Sequence, residues 1–142
     1  MRHGAAGRDV PLVIEFHAGR AVTVGDYVRV HRNLNNGRWV VTATTGAYKG
    51  LVVAYADTVA LDDVTTKVSA AGQARVAAGG HRDVHAWLLG TLSTPTAEDL
   101  DARRVVTYRP HIAPEFIYAD TGDHIATVAR VVFRTDSKAY AA

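Results

Sequence analysis

The clearest pattern in this sequence is a pair of alternating segments that predicts a β-hairpin over residues 27–41. Apolar and polar residues alternate along both segments, as they do in strands with one buried face. Asn36-Gly37 separates the segments, and this dipeptide favours a two-residue type I′ turn because both residues tolerate positive φ. Such a turn pairs Leu34 with Trp39 and gives one apolar face, made of Val28, Val30, Leu34, Trp39 and Val41.

The opposite face of this hairpin is basic, and no acidic residue lies between Tyr27 and Trp39. Guanidinium and imidazole groups on a strand can pair with phosphate through charge-assisted hydrogen bonds, and Tyr27 offers a ring for a base to stack on. The alternative is an ordinary solvated face. Arg32 shares the apolar face, so we expect it at an edge or buried against a partner. The candidate ligand-binding residues of the hairpin are Arg29, His31, Arg32, Asn33 and Arg38.

Two further basic residues join this candidate set from the middle of the chain. Ser69 is a good N-cap, alanines follow it, and Gly79-Gly80 supplies a stop, so the sequence predicts one short helix over residues 70–78. Arg75 projects from this helix, and Arg82 follows the glycine pair. A helical turn is also predicted over residues 97–103, where Thr96 and Asp99 form a weak capping box.

The remaining pattern predicts a mainly β protein. Short strands are expected at residues 12–16, 21–24, 51–55, 57–61, 64–68, 83–92 and 105–109, with 116–118 and 125–133 as a last pair. The fold class is therefore α+β and mainly β, an antiparallel curled sheet or partial barrel with one short helix.

One domain is expected over residues 12–134, with a flexible tail at 1–11 and a frayed end at 135–142. Residues 53–61 align without gaps with residues 125–133. This echo indicates either two repeated β units, 27–61 and 105–133, around the helix, or similar strand chemistry without repetition.

Composition excludes several classes of protein. The chain has no cysteine, so disulfides, thiolate metal sites and cysteine nucleophiles are absent. Its 13 arginines against 3 lysines indicate either nucleic-acid binding or the codon bias of a GC-rich genome. No phosphate-binding loop, nucleophile elbow or dinucleotide fingerprint occurs. His81 and His85 are four residues apart, but a strand would hold them about 13 Å apart, and no third ligand is evident.

Several short motifs resemble a family of small proteins from tailed phages and prophages that has no established activity. The resemblance covers about residues 28–133, and the sequence has Thr66 where that family often has an aromatic residue. It implies a phage accessory protein that acts inside a bacterial host. The motifs are His31-Arg32-Asn33-Leu34, Gly37-Arg38-Trp39, Ala56-Asp57, Asp63-Val64-Thr65, Gly72, Arg75-Val76, Val84-His85-Ala86 and Gly90.

These observations favour a non-catalytic binding protein over an enzyme, with no metal and no cofactor. The leading hypothesis is an accessory protein in the host cytoplasm that recognises a phosphate-bearing ligand, either nucleic acid or a nucleotide signal. A second hypothesis is a protein-interaction module or inhibitor that binds a host protein through an exposed strand edge. A third is a structural component of the virion. A homo-oligomer is compatible with all three, and no membrane-spanning segment is expected.

Overall fold

The computed structural model describes residues 14–32, 38–68, 74, 86–109 and 113–142, and these form ten antiparallel strands and one 3₁₀ turn. The 3₁₀ turn, Glu98–Asp101, connects the sixth strand to the seventh. The strands are β1 (Ile14–Phe16), β2 (Tyr27–Arg32), β3 (Trp39–Ala43), β4 (Val52–Ala56), β5 (Val59–Val68), β6 (Ala86–Ser93), β7 (Arg104–Arg109), β8 (Ala113–Tyr118), β9 (Thr127–Phe133) and β10 (Ala139–Ala141).

All ten strands belong to a single sheet in the order β1-β4-β3-β2-β6-β5-β9-β10-β7-β8. Within the described residues no hydrogen-bonded pairing joins β1 to β8, so the sheet is open and these two strands are its edges. The predicted mainly β, antiparallel sheet is confirmed. The predicted helix over residues 70–78 lies outside the described residues, apart from Ala74.

The sheet curls around one apolar interior. The Trp39 ring on β3 packs edge-to-face on the Phe133 ring of β9, with 4.9 Å between centroids, although three strands separate β3 from β9 in the sheet. The Trp39 indole N–H also donates to the Arg134 carbonyl at 2.9 Å. Such contacts require the sheet to bend back on itself. The interior they close is filled mostly by small and β-branched side chains, among them Val28, Val30, Val41, Val59, Leu61, Val64, Leu88, Leu92 and Val131.

The central hairpin forms with a register different from the predicted one. Arg32 pairs with Trp39 and Val30 with Val41, so the strands are offset by two residues from the pairing that a two-residue turn at Asn36-Gly37 would give. The turn residues themselves lie outside the described part of the chain. Side chains alternate with a period of two, so an offset of two leaves every residue on its predicted face. Val28, Val30, Trp39 and Val41 are accordingly all buried.

Three strand predictions are wrong in their pairing or extent. Residues 57–61 and 64–68 are one strand, β5, with an irregularity between Asp62 and Thr65 where Asp63 has a φ of 51°. Residues 21–24 do not form a strand, and a turn follows at Val24-Gly25, where the Asp26 N–H donates to the Thr23 carbonyl and the Asp26 carboxylate accepts the Thr23 N–H at 2.9 Å. β8 and β9 share only the isolated bridge between Ile117 and His124, because β8 pairs with β7 and β9 lies between β5 and β10.

The predicted frayed end at 135–142 contains the strand β10. β10 pairs with both β7 and β9, and Tyr140 is buried, with its ring beneath the Arg134 guanidinium. The predicted tail at 1–11 lies outside the described residues. Of the two segments that echo each other, residues 53–61 bend between β4 and β5, whereas β9 occupies most of 125–133 without a break. Repetition therefore stays a prediction.

Gly90 on β6 is required because the neighbouring strand leaves no room for a side chain, and not because of its backbone conformation. A Cβ at this position would lie 2.7 Å from the Asp62 backbone oxygen and 3.1 Å from the Leu61 Cβ. We expect Gly90→Ala to lower the free energy of unfolding by about 1–3 kcal/mol, since β5 must move to accept it. The measurement is denaturant unfolding, with Thr91→Ala as the control, for which a loss below about 1 kcal/mol is expected. Equal losses in both variants would show that β5 and β6 are not tightly apposed here.

Candidate ligand-binding face

The residues of β2 alternate between the interior and the outer surface of the sheet. Val28 and Val30 are buried, whereas Tyr27, Arg29 and His31 lie on the other face, and we call these three residues the β2 outer face. Arg32 ends the strand at a position that alternation places on the face of Val28 and Val30. Tyr27 is 38% exposed, and Arg29 and His31 are partly buried. Arg32 lies opposite Trp39 at the end of β2 and is exposed, so it is not buried against a partner, although β2 lies between β3 and β6 rather than at an edge of the sheet.

Trp87 on the neighbouring strand β6 supports the Arg29 side chain. The Arg29 guanidinium carbon lies 4.8 Å from the centre of the Trp87 ring, which is a favourable cation–π geometry. The Arg29 Nε is buried and has no hydrogen-bond acceptor among the described residues. On the far side of Trp87 the cross-strand partner is Lys67 of β5. An indole therefore lies between two cationic side chains.

The strands beside the β2 outer face contribute few charges. Arg29 lies across from Thr42 on β3 and Leu89 on β6, while Tyr27 lies across from Thr91. The next residue along that row is Asp62 on β5, and its carboxylate is ion-paired to Arg130 at 2.8 Å. This carboxylate is thus held by another residue of the chain. The described cross-strand neighbours of Tyr27 and Arg29 on β3 and β6 therefore carry no charge.

Arg38 is the one described candidate residue that internal carboxylates already neutralise. Its guanidinium pairs with Glu15 at 3.1 Å and with Asp57 at 3.4 Å, and it donates to the Tyr55 carbonyl. The hairpin places Arg38 next to β4, whose neighbours supply these acceptors. Arg38 therefore stabilises the β1–β4 edge of the sheet.

Most other arginines with described side chains also donate to acceptors within the protein. Arg20, Arg103 and Arg134 donate to backbone carbonyls, and Arg104 pairs with Asp120. Among the described arginine side chains, Arg29 and Arg32 are the two with neither a carboxylate nor a carbonyl acceptor. Both belong to β2, where Arg29 shares a face with His31 and Arg32 lies at the exposed end of the strand on the opposite face. Asn33, Arg75 and Arg82 lie outside the described residues.

Arg130 is the most heavily hydrogen-bonded cation of the described chain. It forms a two-pronged pair with the buried Asp99 at 2.9 and 2.7 Å, and it also donates to Asp62, Ser93 and the Thr94 carbonyl. These five bonds use all five N–H donors of a guanidinium. The carboxylates raise the Arg130 pKa further above its ordinary value. Arg130 is therefore a structural residue.

Asp99 links this arginine to the 3₁₀ turn that the sequence predicts as helical. Its carboxylate accepts the Thr96 backbone N–H at 2.7 Å, and the Thr96 hydroxyl accepts the Asp99 N–H at 3.4 Å, which is the reciprocal arrangement of a capping box. Burial raises the pKa of the Asp99 carboxyl, but the hydrogen bonds from Arg130 and Thr96 outweigh it and leave the pKa below 3.8.

An open cavity of about 840 Å³ lies beside this network, and no residue of the β2 outer face lines it. Three acidic residues line it, Glu98, Asp99 and Asp101, and the one cation in its wall is the fully hydrogen-bonded Arg130. Phosphate would be repelled there. In the described ranges no three His, Asp or Glu side chains come together as a metal site, and no helix has the length and apolar character to cross a bilayer.

Trp87 and Lys67 lie on the strands next to the β2 outer face, and the sequence did not single them out. The alternation along β6 separates Trp87 and Leu89 from Leu88, as observed, so the outward direction of Trp87 was available from the pattern. Its position beside Arg29 was not, because Trp87 lies 58 positions after Arg29 in the sequence and only the β2–β6 pairing joins them.

Comparison with known proteins places the chain in a class defined by its source, the small proteins of tailed phages. A family model described as the Mycobacterium phage L5 gene 82 protein matches residues 21–141. The chain belongs to this family, whose function is unknown, and the expected phage kinship is confirmed. No curated protein and no solved structure matches the chain.

We expect Asp99→Asn to destabilise the protein by roughly 3–5 kcal/mol, because it leaves the Arg130 charge partly buried without its main partner. Asp120→Asn is the matched control, since its pair with Arg104 is exposed, and a loss below about 1 kcal/mol is expected. Denaturant unfolding of the three proteins measures both values. Similar losses in Asp99→Asn and Asp120→Asn would show that the Arg130 network stabilises the fold no more than an exposed ion pair does.

The lowered pKa of Asp99 also predicts a dependence of stability on pH. A carboxyl whose pKa is lower in the folded state stabilises the protein above its ordinary pKa of 3.8, and this contribution is lost as the pH falls further. Between about pH 5 and pH 3 the unfolding free energy of the parent protein should therefore fall more steeply than that of Asp99→Asn. Parallel curves would contradict this assignment.

Proposed function

We propose that this protein binds a phosphate-bearing ligand, nucleic acid or a nucleotide, on the β2 outer face and catalyses no reaction. The observation that carries the proposal is the pair Arg29 and Arg32. Every other arginine with a described side chain donates to a carboxylate or carbonyl, whereas these two have no such acceptor among the described residues. Cations without internal partners on one strand are the groups that a phosphate ligand would pair with.

The packing of Arg29 supports a role in binding. Stacking on Trp87 orients the guanidinium without using its N–H donors, so its terminal nitrogens keep their capacity to donate. Less rotamer freedom is then lost when a ligand binds, which favours affinity. His31 and Lys67 add imidazole and ammonium groups next to the same pair of strands.

The electrostatic surroundings support the same location. Asp62 would be the nearest carboxylate along the Tyr27 row, but it is paired to Arg130. Glu15 and Asp57 are paired to Arg38. No residue of the β2 outer face lines the acidic cavity beside Asp99.

The proposal is tested with inorganic polyphosphate as the probe, because it carries phosphate and no base. We expect Arg29→Gln combined with Arg32→Gln to weaken polyphosphate binding at least about tenfold in titration calorimetry at low salt, since two charge-assisted contacts are removed. Unchanged binding by this double variant would refute the β2 outer face as the site.

A matched control separates the site from the overall charge of the protein. Arg103→Gln combined with Lys138→Gln removes the same two positive charges from exposed positions distant in sequence from β2. We expect this variant to bind polyphosphate within about twofold of the parent. Equal weakening in both double variants would show that binding follows net charge alone.

A further inference from the structure

We infer that the ligand of the β2 outer face is single-stranded nucleic acid, with a base stacked on Tyr27 and the backbone running along β2. This inference rests on the proposed function and narrows its ligand class. The alternation of an aromatic residue and basic residues along one strand is its starting observation. Tyr27, Arg29 and His31 follow each other at every second position, so they project from the same face at intervals of about 6.8 Å.

Tyr27 has the exposure that stacking needs. Its side chain is 38% exposed, among the few large apolar side chains of the described chain at the surface, and its cross-strand neighbour Thr91 is small. The turn before β2 holds the backbone at this point, where the Asp26 and Tyr27 carbonyls accept the Leu92 N–H and the Thr44 hydroxyl, respectively. An exposed ring on a fixed backbone is a suitable platform for an unpaired base.

The shape of the surface argues for a polymer rather than a free nucleotide. Sites for small ligands are concave and bury most of the ligand. The cavity beside Asp99 contains no residue of the β2 outer face, and Tyr27, Arg29 and His31 are instead spread along about 13 Å of strand. A single strand can contact such a row with several phosphates at once, while its unpaired bases reach the aromatic ring.

A duplex would use this face less well than a single strand. Its bases are stacked on each other, so the Tyr27 ring would have no base to receive, and only phosphate contacts would remain. Inorganic polyphosphate likewise has no base. The inference therefore separates the contribution of Tyr27, which needs a base, from that of Arg29 and Arg32, which needs a phosphate.

The test measures binding of the full chain to a fluorescein-labelled oligodeoxythymidine of about 12 nucleotides, a length within the usual range for single-strand sites on sheets. We expect Tyr27→Leu to weaken this binding about 5- to 150-fold and Tyr27→Phe to leave it within about twofold, because the phenylalanine ring keeps the stacking surface. Both variants should bind polyphosphate like the parent. Thermal unfolding of each variant checks that the fold is kept.

Two further probes complete the design. A duplex of the same length should bind more weakly than the single strand at equal salt, and ATP should compete poorly. The Arg29→Gln, Arg32→Gln variant should lower the slope of log affinity against log salt for the oligonucleotide by roughly two.

The outcomes distinguish this inference from the proposed function. If Tyr27→Leu binds the oligonucleotide as well as the parent does, or if duplex and single strand bind equally, the inference fails while phosphate binding by Arg29 and Arg32 stands. Tight, saturable ATP binding that the oligonucleotide cannot displace would also overturn it, in favour of a nucleotide site. If the arginine double variant binds both polyphosphate and oligonucleotide normally, the proposed function fails and the inference fails with it.

Discussion

The curl of the sheet is the constraint on which the rest of the structure depends. It brings Trp39 on β3 against Phe133 on β9, and the indole N–H is satisfied by the Arg134 carbonyl. Arg134 in turn donates to the Leu100 carbonyl in the 3₁₀ turn. One buried ring thus connects the central hairpin, the last strands and the connection after β6. With aliphatic side chains filling the interior, the odd-numbered positions of β2 must lie on the outer surface.

The curl of the sheet also determines which arginines have carboxylate partners within the protein. Where strands converge on Arg130 and Arg38, carboxylates from distant parts of the sequence neutralise the guanidinium groups. Burial of such pairs is tolerable only when the hydrogen bonds are satisfied, as they are at Arg130. On β2 the neighbouring strands supply threonine, leucine and tryptophan instead. Arg29 and Arg32 therefore have no carboxylate partner among the described residues.

Family membership and fold carry different information about this protein. The family match establishes phage kinship, and the sheet establishes the architecture, but neither specifies a ligand, because one fold can support many functions. The functional argument rests instead on which side chains have partners inside the protein. Arg38 illustrates the point, because it belonged to the same basic cluster in the sequence as Arg29, yet two carboxylates hold it. No property of residues 27–41 alone distinguishes these two arginines.

The sequence by itself determined the direction of each side chain on the central strands. The buried set Val28, Val30, Trp39 and Val41 survived an error of two residues in the register, since alternation is a local property with a period of two. The capping pair Thr96 and Asp99 was also readable, because its hydrogen bonds span three residues. Only the tertiary structure decided that β2 lies beside β6, that β8 and β9 separate, and that Arg130 meets Asp99. Those outcomes depend on which strands pair over long sequence separations, and no local period encodes that choice.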